Sequence, residues 1–344
     1  MATRMTKQAT VRIGGVEVAP GERTYIDLPI ADLYTHTPLT MPVQVVNGKR
    51  AGPTLFVSAA IHGDELNGVE IVRRLLAQKA LNRLRGCLIA VPVVNVHGFL
   101  DQSRYLPDRR DLNRSFPGSA TGSVAARLAY IFAQEIIRQA DFGVDMHTGA
   151  QHRSNLPQIR ANLDDEQTLS LAKAFKVPVL VNAPIRDGSL RGYAAEEGIP
   201  TLLYEAGEAL RFDEVSIRAG LRGLLSVMRH LQMLPERKTK AGQKEPLVAT
   251  STSWIRAPSS GIVRLRVKLG QRVDVGQSLA TISDPMGDAS QKVEARFAGI
   301  VIGQTNLPLV HEGDALMHIA RFDSVAQAES RVDEFQTELQ PDTL

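Results

Sequence analysis

Two stretches decide how this chain folds: PTLFVSAAIHGDE, residues 53–65, and DFGVDMH, residues 141–147. Each is a short apolar run closed by a histidine, as expected of a strand covered on both faces. In parallel α/β sheets ligands bind at the carboxyl ends of the strands, which brings His62, Glu65 and His147 toward one edge. Two imidazoles and a carboxylate are the ligand set of a hydrolytic zinc site with a fourth position open for water. The chain turns at Gly63, so Glu65 can return to the same point as His62. Asp145 and His147 lie two apart on a strand and face the same way. His147 can therefore ligate while Asp145 orients a ligating imidazole. Taken alone, HGDE also describes a turn and helix cap, and the Asp-His pair a satisfied buried pair.

Outward from these runs, strand and helix signals alternate. Val69, Val72, Leu75 and Leu76 repeat at helical spacing and predict a helix over 69–84. CLIAVPVV (87–94), VPVLVNAP (177–184) and IPTLLYEAG (199–207) read as further strands, and 123–140, 164–175 and 215–231 as helices. The expected class is α/β, a mainly parallel sheet covered by helices. Residues 11–50 carry short alternating runs among Gly and Pro, a β-rich N-terminal segment. A catalytic domain is expected over 1–235, a charged linker (ERKTKAGQKEP and its surroundings) over 236–250, and a small β domain over 251–325. Residues 326–344 read as a polar, acidic tail, frayed or forming a short helix.

Composition bounds the rest. With 344 residues, 43% of them apolar and 22% charged, the chain can bury a full core and has ordinary globular usage. A net charge of +3, from 40 basic and 37 acidic residues, gives no argument for a nucleic acid or a membrane surface as partner. The opening MATRMTKQAT lacks the apolar stretch of a secretory signal, and no apolar run approaches the ~18 residues of a membrane span. A cytoplasmic protein is expected. Cys87 is the only cysteine, which excludes a disulfide within the chain, and its apolar setting suggests a buried structural thiol.

Between the two histidine fragments lies RYLPDRRDLNRSFPG, residues 104–118, too polar and proline-rich for a core. Its guanidiniums suit a carboxylate, because arginine presents a planar bidentate fork. Glu205 stands at the end of another strand and can act as general base toward water, then return the proton to a leaving amine. Glu208, three residues on, competes for that role. The run QHRSNLPQIR, 151–160, adds polar groups at the same edge. There Arg153 and Arg160 either read a further carboxylate or pair with Asp164, Asp165 or Glu166.

HGDELNG (62–68), DLNRSFPG (111–118), DMHTG (145–149) and LLYEAGE (202–208), in this order, resemble the succinylglutamate desuccinylase/aspartoacylase family, which is related to zinc carboxypeptidases. The resemblance covers roughly residues 53–231 and implies a carboxypeptidase-like α/β/α sandwich. It implies that His62, Glu65 and His147 bind one zinc per subunit, that Glu205 is the catalytic carboxylate, and that Asn113 and Arg114 hold a substrate carboxylate. It also implies an upstream arginine that polarises the scissile carbonyl. Arg104 begins an Arg-Tyr pair as in the family, and Arg109 or Arg110 are the alternatives. Aspartoacylase completes its pocket with a tyrosine from its C-terminal β domain, whereas the last tyrosine here is Tyr204. N-acetylaspartate is therefore not the expected substrate.

Residues 257–282 and 294–319 form two similar halves, the mark of a small duplicated β-barrel or sandwich. The region resembles a lipoyl or biotinyl barrel-sandwich module, which carries its cofactor on a hairpin-tip lysine. The corresponding hairpin, SDPMGDASQ (283–291), has Met286 but no lysine, and Lys292 lies past the tip. An unmodified barrel that caps the active-site mouth or joins subunits of a homo-oligomer is expected. The reading is a zinc amidohydrolase for an N-acyl amino acid or a small amino-acid conjugate bearing a carboxylate. A carboxypeptidase for short peptides would use the same groups. An inactive scaffold would be expected to have lost one of His62, Glu65, His147 or Glu205.

Overall fold

The structure is a computed structural model that describes residues 7–236 and 245–340. Most of the ERKTKAGQKEP linker lies outside the described residues. One sheet of 13 strands runs through the molecule. Its centre is parallel, with Arg85–Val91, Arg50–Ala59, Phe142–Gly149 and Thr201–Glu208 side by side in that order. Leu55, Val57 and Ala59 enter a core with the helices Asn67–Leu76, Glu166–Phe175 and Glu214–His230. Phe56 faces the other way and meets Phe132 of the helix Val124–Glu135 edge-on at 6.2 Å. With both faces covered, no strand position needs a polar residue, which is why these runs are continuously apolar. Each fully buried Val, Leu or Phe here contributes about 1.5–3 kcal/mol. Cys87 is fully buried in this sheet, and burial pushes its thiol up to about 12.

Pro38–Asn47 and Arg23–Asp32 extend the sheet in antiparallel fashion beyond Arg85–Val91. These strands of the β-rich N-terminal segment are thus part of the same sheet, while Val11–Ile13 and Val16–Val18 pair in a two-stranded sheet of their own.

Several elements differ from expectation. The polar run 151–160 is a strand, Arg153–Ala161, antiparallel to Thr201–Glu208 and parallel to Val179–Asn182. The helix expected over 69–84 ends at Leu76, and a 3₁₀ turn, Lys79–Arg83, leads into the next strand. Leu247–Ala249, inside the expected linker, is a strand parallel to Val179–Asn182. The acidic tail forms the helix Val325–Leu339, with Ser324 accepting from the Gln327 amide at its start. Ala328, Val332, Phe335 and Leu339 make its buried stripe, and Phe335 and Leu339 join the core around Glu214–His230. Its charged outer positions mask that stripe in the sequence.

The C-terminal strands continue the large sheet. Gly299–Thr305 pairs with Arg153–Ala161, and Ala315–Arg321 and Ser251–Arg256 follow it. Ser290–Glu294, Ser278–Ser283, Gly261–Leu265 and Leu309–Val310 form a separate four-stranded sheet. A shared core of Val263, Leu279, Ile282, Val301 and Leu316 joins the two sheets. Among the described residues, no helix is long and apolar enough to cross a membrane.

Candidate metal centre and active site

His62 follows Arg50–Ala59 through a tight bend, with Ala60 at φ 50°. The turn that brings Glu65 back is closed by the Glu65 amide donating to the His62 carbonyl at 3.1 Å. Only glycine fits within it, because a Cβ on Gly63 would lie 1.9 Å from the Gly98 carbonyl carbon. The helix beyond begins at Asn67 with no side-chain cap, so Asp64 is not its cap. Asp64 is instead buried, accepting from the Gln151 amide at 3.4 Å.

The geometry around Glu65 is convergent. His62 Nδ1 lies 2.7 Å from Glu65 Oε1 and His147 Nδ1 lies 2.9 Å from Glu65 Oε2. One ligand atom from each of the three residues lies within 4.8 Å of the others, and all three side chains are buried. The opposite ring nitrogens are engaged: His147 Nε2 with Asp145 Oδ2 at 2.8 Å, and His62 Nε2 with Asp111 Oδ1 at 3.1 Å. Ser58 donates to Asp145 at 2.7 Å and Arg104 to Asp111 at 2.9 Å, so the orienting carboxylates are themselves held. Burial disfavours charge on both rings, yet Asp145 and Glu65 at His147, and Glu65 and Asp111 at His62, hold both above the ordinary histidine range. Burial likewise opposes ionisation of Glu65, but the two imidazoles override it and hold its carboxyl well below the usual range. Such surroundings favour positive charge between the three side chains. Paired Nδ1 donors, a carboxylate and oriented far nitrogens fit a divalent cation.

Glu205 is the register partner of His147 on the neighbouring parallel strand, which places both on the same face. Asn155 donates to Glu205 Oε1 at 3.0 Å, and Arg160 Nε lies 3.5 Å from Oε2. A cavity of about 360 Å³ opens over these groups, lined also by Arg104, Asn113, Arg114, Arg153 and Trp254. A larger groove, about 780 Å³, reaches Arg50 and Arg85 at the opposite ends of the strands and contains none of the three clustered ligands. The candidate metal cluster therefore lines the smaller cavity.

The expected site residues divide clearly. His62, Glu65, His147, Asp145, Glu205, Arg104, Asn113, Arg114 and Arg153 all line the cavity. Arg109 does not: it sits exposed in a left-handed turn (φ 62°), its amide donating to the Leu106 carbonyl at 2.8 Å. Arg110 is exposed beside Asp108. Glu208 also lies outside, accepting from the His152 amide and from Asn306. Arg160 lines the cavity, while Asp165 caps a helix and Asp164 accepts from Asn182. Sequence reasoning missed Asp111, Asn155, Trp254, Arg186 and Arg191. Asp111 opens the Asp-Leu-Asn-Arg motif and could have been assigned from it. Asn155 stands in the polar run 151–160 without being singled out there, and Trp254 and the two arginines carry no local signal. Arg191 donates to the Ala183 and Pro184 carbonyls, and burial, with Arg160 and Arg186 nearby, lowers it to about 10. Six arginines face three carboxylates around the cavity, an excess that suits an anionic ligand.

An α/β sheet with this triad at the carboxyl ends of adjacent parallel strands defines a class of protein, those with a candidate metal-hydrolase centre. The model of the succinylglutamate desuccinylase/aspartoacylase catalytic domain matches residues 51–231, and the chain belongs to that family. It is 26% identical over 310 residues to N-alpha-acetyl-L-2,4-diaminobutyric acid deacetylase of Halomonas elongata, covering 86% of this chain and 90% of that protein. Among solved structures it resembles product-bound ectoine utilization protein EutE (DoeB) of Ruegeria pomeroyi, with 27% identity and TM-score 0.77, covering 87% of this chain and 95% of that one. A succinylglutamate desuccinylase/aspartoacylase of Rhodobacter sphaeroides gives 25% identity and TM-score 0.77, covering 87% and 96%.

Proposed function

We propose that the chain is a zinc-dependent deacylase that hydrolyses the amide bond of an N-acyl amino acid. The observation that carries this is the placement of Glu205 beside His147 over the His62–Glu65–His147 cluster, inside an arginine-rich cavity. The relative from Halomonas elongata is named for removing an acetyl group from an amino acid, which supports the substrate class.

A zinc ion held by His62, Glu65 and His147 would supply Lewis acidity toward water and the amide carbonyl. Glu205 takes the proton of the attacking water and passes it to the leaving amine. Asn155 fixes one of its oxygens, so the carboxylate needs little reorganisation. Arg104, held by Asp111 and 3.7 Å from Glu65, steadies the negative charge that develops on the carbonyl oxygen. Asn113 spends its amide oxygen on the Leu190 backbone N–H at 2.9 Å, leaving its NH₂ group to donate to a substrate carboxylate beside Arg114. The C-terminal strands serve as an unmodified barrel-sandwich, since the hairpin tip exposes Met286 in place of a lysine. Glu205→Gln should retain zinc and lose about 10³-fold or more in kcat. An active variant would remove Glu205 from the mechanism. Turnover of N-acetyl amino acids in preference to unblocked dipeptides separates deacylase from carboxypeptidase.

A further inference from the structure

A continuous row of register partners crosses the sheet from the C-terminal strands into the cavity. Trp254 is in register with His318, His318 with Gly303, and Gly303 with Asn155, the residue that holds Glu205. The Trp254 and His318 rings stack with centroids 4.6 Å apart and planes 6° from parallel. His318 is buried, and burial, with Arg160 nearby, lowers it to about 4, so the stacked imidazole is neutral. The Arg153 guanidinium lies 5.3 Å from the centre of the indole, which lines the cavity together with it. Among the described residues no carboxylate pairs with Arg153. Its charge is held in place by an aromatic face and has no anion of its own.

We propose that Trp254, supplied by the C-terminal strands, is a positioning residue: braced on His318, it holds Arg153 at the cavity wall to receive a second anionic group of the substrate, a carboxylate on the side chain or acyl chain. The proposal rests on the deacylase reading of this cavity. Arg153 takes this second group while Asn113 and Arg114 take the α-carboxylate. The indole is braced by a neighbouring ring, so it cannot swing aside without unstacking. A flexible residue at position 254 would leave the guanidinium free to turn into solvent.

Trp254 is the only tryptophan in the chain, so its emission reports directly on this wall. In zinc-loaded wild-type protein, N-acetyl-L-glutamate should change that emission saturably, at a midpoint well below that of N-acetyl-L-alanine. Arg153→Ala should shrink the ratio of the two midpoints about tenfold. In kinetics, Trp254→Ala should raise KM for N-acetyl-L-glutamate by about the same factor with kcat nearly unchanged, and Trp254→Phe should restore most of the loss. Equal midpoints for the two compounds in the wild type, or a ratio untouched by Arg153→Ala, would overturn the proposal. The emission change reports binding whether or not turnover follows, so a failure to hydrolyse either compound counts against the deacylase reading alone.

Discussion

Gly303 is the one position in the row where a methyl group should damage catalysis without damaging the fold. A Cβ added there would lie 2.8 Å from Asn155 Oδ1 and 3.3 Å from His318 Cβ. His318 is clamped in its stack, so the side chain free to give is the Asn155 amide. Ordinary contact begins near 3.4 Å, so that amide must move roughly 0.6 Å. The amide is rigid, and its Nδ2 moves with its Oδ1. Gly303 and Glu205 lie on strands on opposite sides of Arg153–Ala161, so the shift presses the amide toward Glu205, and the crowding at the 3.0 Å bond is relieved only by turning the amide out of line with the carboxylate. Hydrogen bonds to charged groups contribute about 1.5–3 kcal/mol, so Gly303→Ala should lower kcat roughly 10- to 100-fold. The overpacking itself should cost only about 1 kcal/mol of stability. Steady-state kinetics, metal content and thermal melting of the zinc-loaded variant provide the test. Asn155→Ala should give a comparable loss, and the double variant little more, because both act through the same bond. A Gly303→Ala enzyme with wild-type kcat, or strictly additive losses, would refute the reasoning.

Three further outcomes are expected. His147→Ala should purify with little zinc, and Asp145→Ala should weaken zinc affinity about 10- to 100-fold through the freed imidazole, measured by competition with a chelator. Arg114→Ala should raise KM roughly 10- to 100-fold for substrates with a free α-carboxylate, with kcat far less affected. His318 is lowered from 6.5 to about 4 in the folded chain, so the unfolded chain binds its proton more readily. Its contribution to stability is therefore complete above about pH 6.5 and is lost as pH falls toward 4; between about pH 7.5 and pH 5 it amounts to about 2 kcal/mol. His318→Gln should flatten the pH dependence of the denaturation midpoint by that amount, and an unchanged slope would argue against the buried neutral imidazole.

The central sheet was legible because it is buried on both sides, so its strands appear as apolar runs ending in the residues that line the cavity. The strand Arg153–Ala161 was not, because only part of it follows that rule. Leu156 and Ile159 enter apolar cores, while Arg153, Asn155 and Arg160 line a polar cavity. A strand with one face on an active site loses the apolar continuity that marks its neighbours and reads as a polar loop. The site residues divide in the same way. The three clustered ligands stand in short motifs of their own, whereas Asn155 and Trp254 gain their positions only from register with distant strands.

That register also changes the relation between the two parts of the chain. Split at the expected linker, the catalytic part would keep its triad and Glu205 but lose Gly299–Thr305, the strand that covers residues 153–155 at the start of Arg153–Ala161. An exposed edge frays or pairs elsewhere, and here Asn155, which donates to Glu205, would move with it, while Arg160 stays paired with Val181. A 1–235 fragment should thus bind zinc while its kcat falls at least as far as that of Asn155→Ala. Adding residues 245–344 as a separate chain should restore turnover only in proportion to the complex formed. A fragment with full activity would show that the sheet ends, functionally, at Arg153–Ala161.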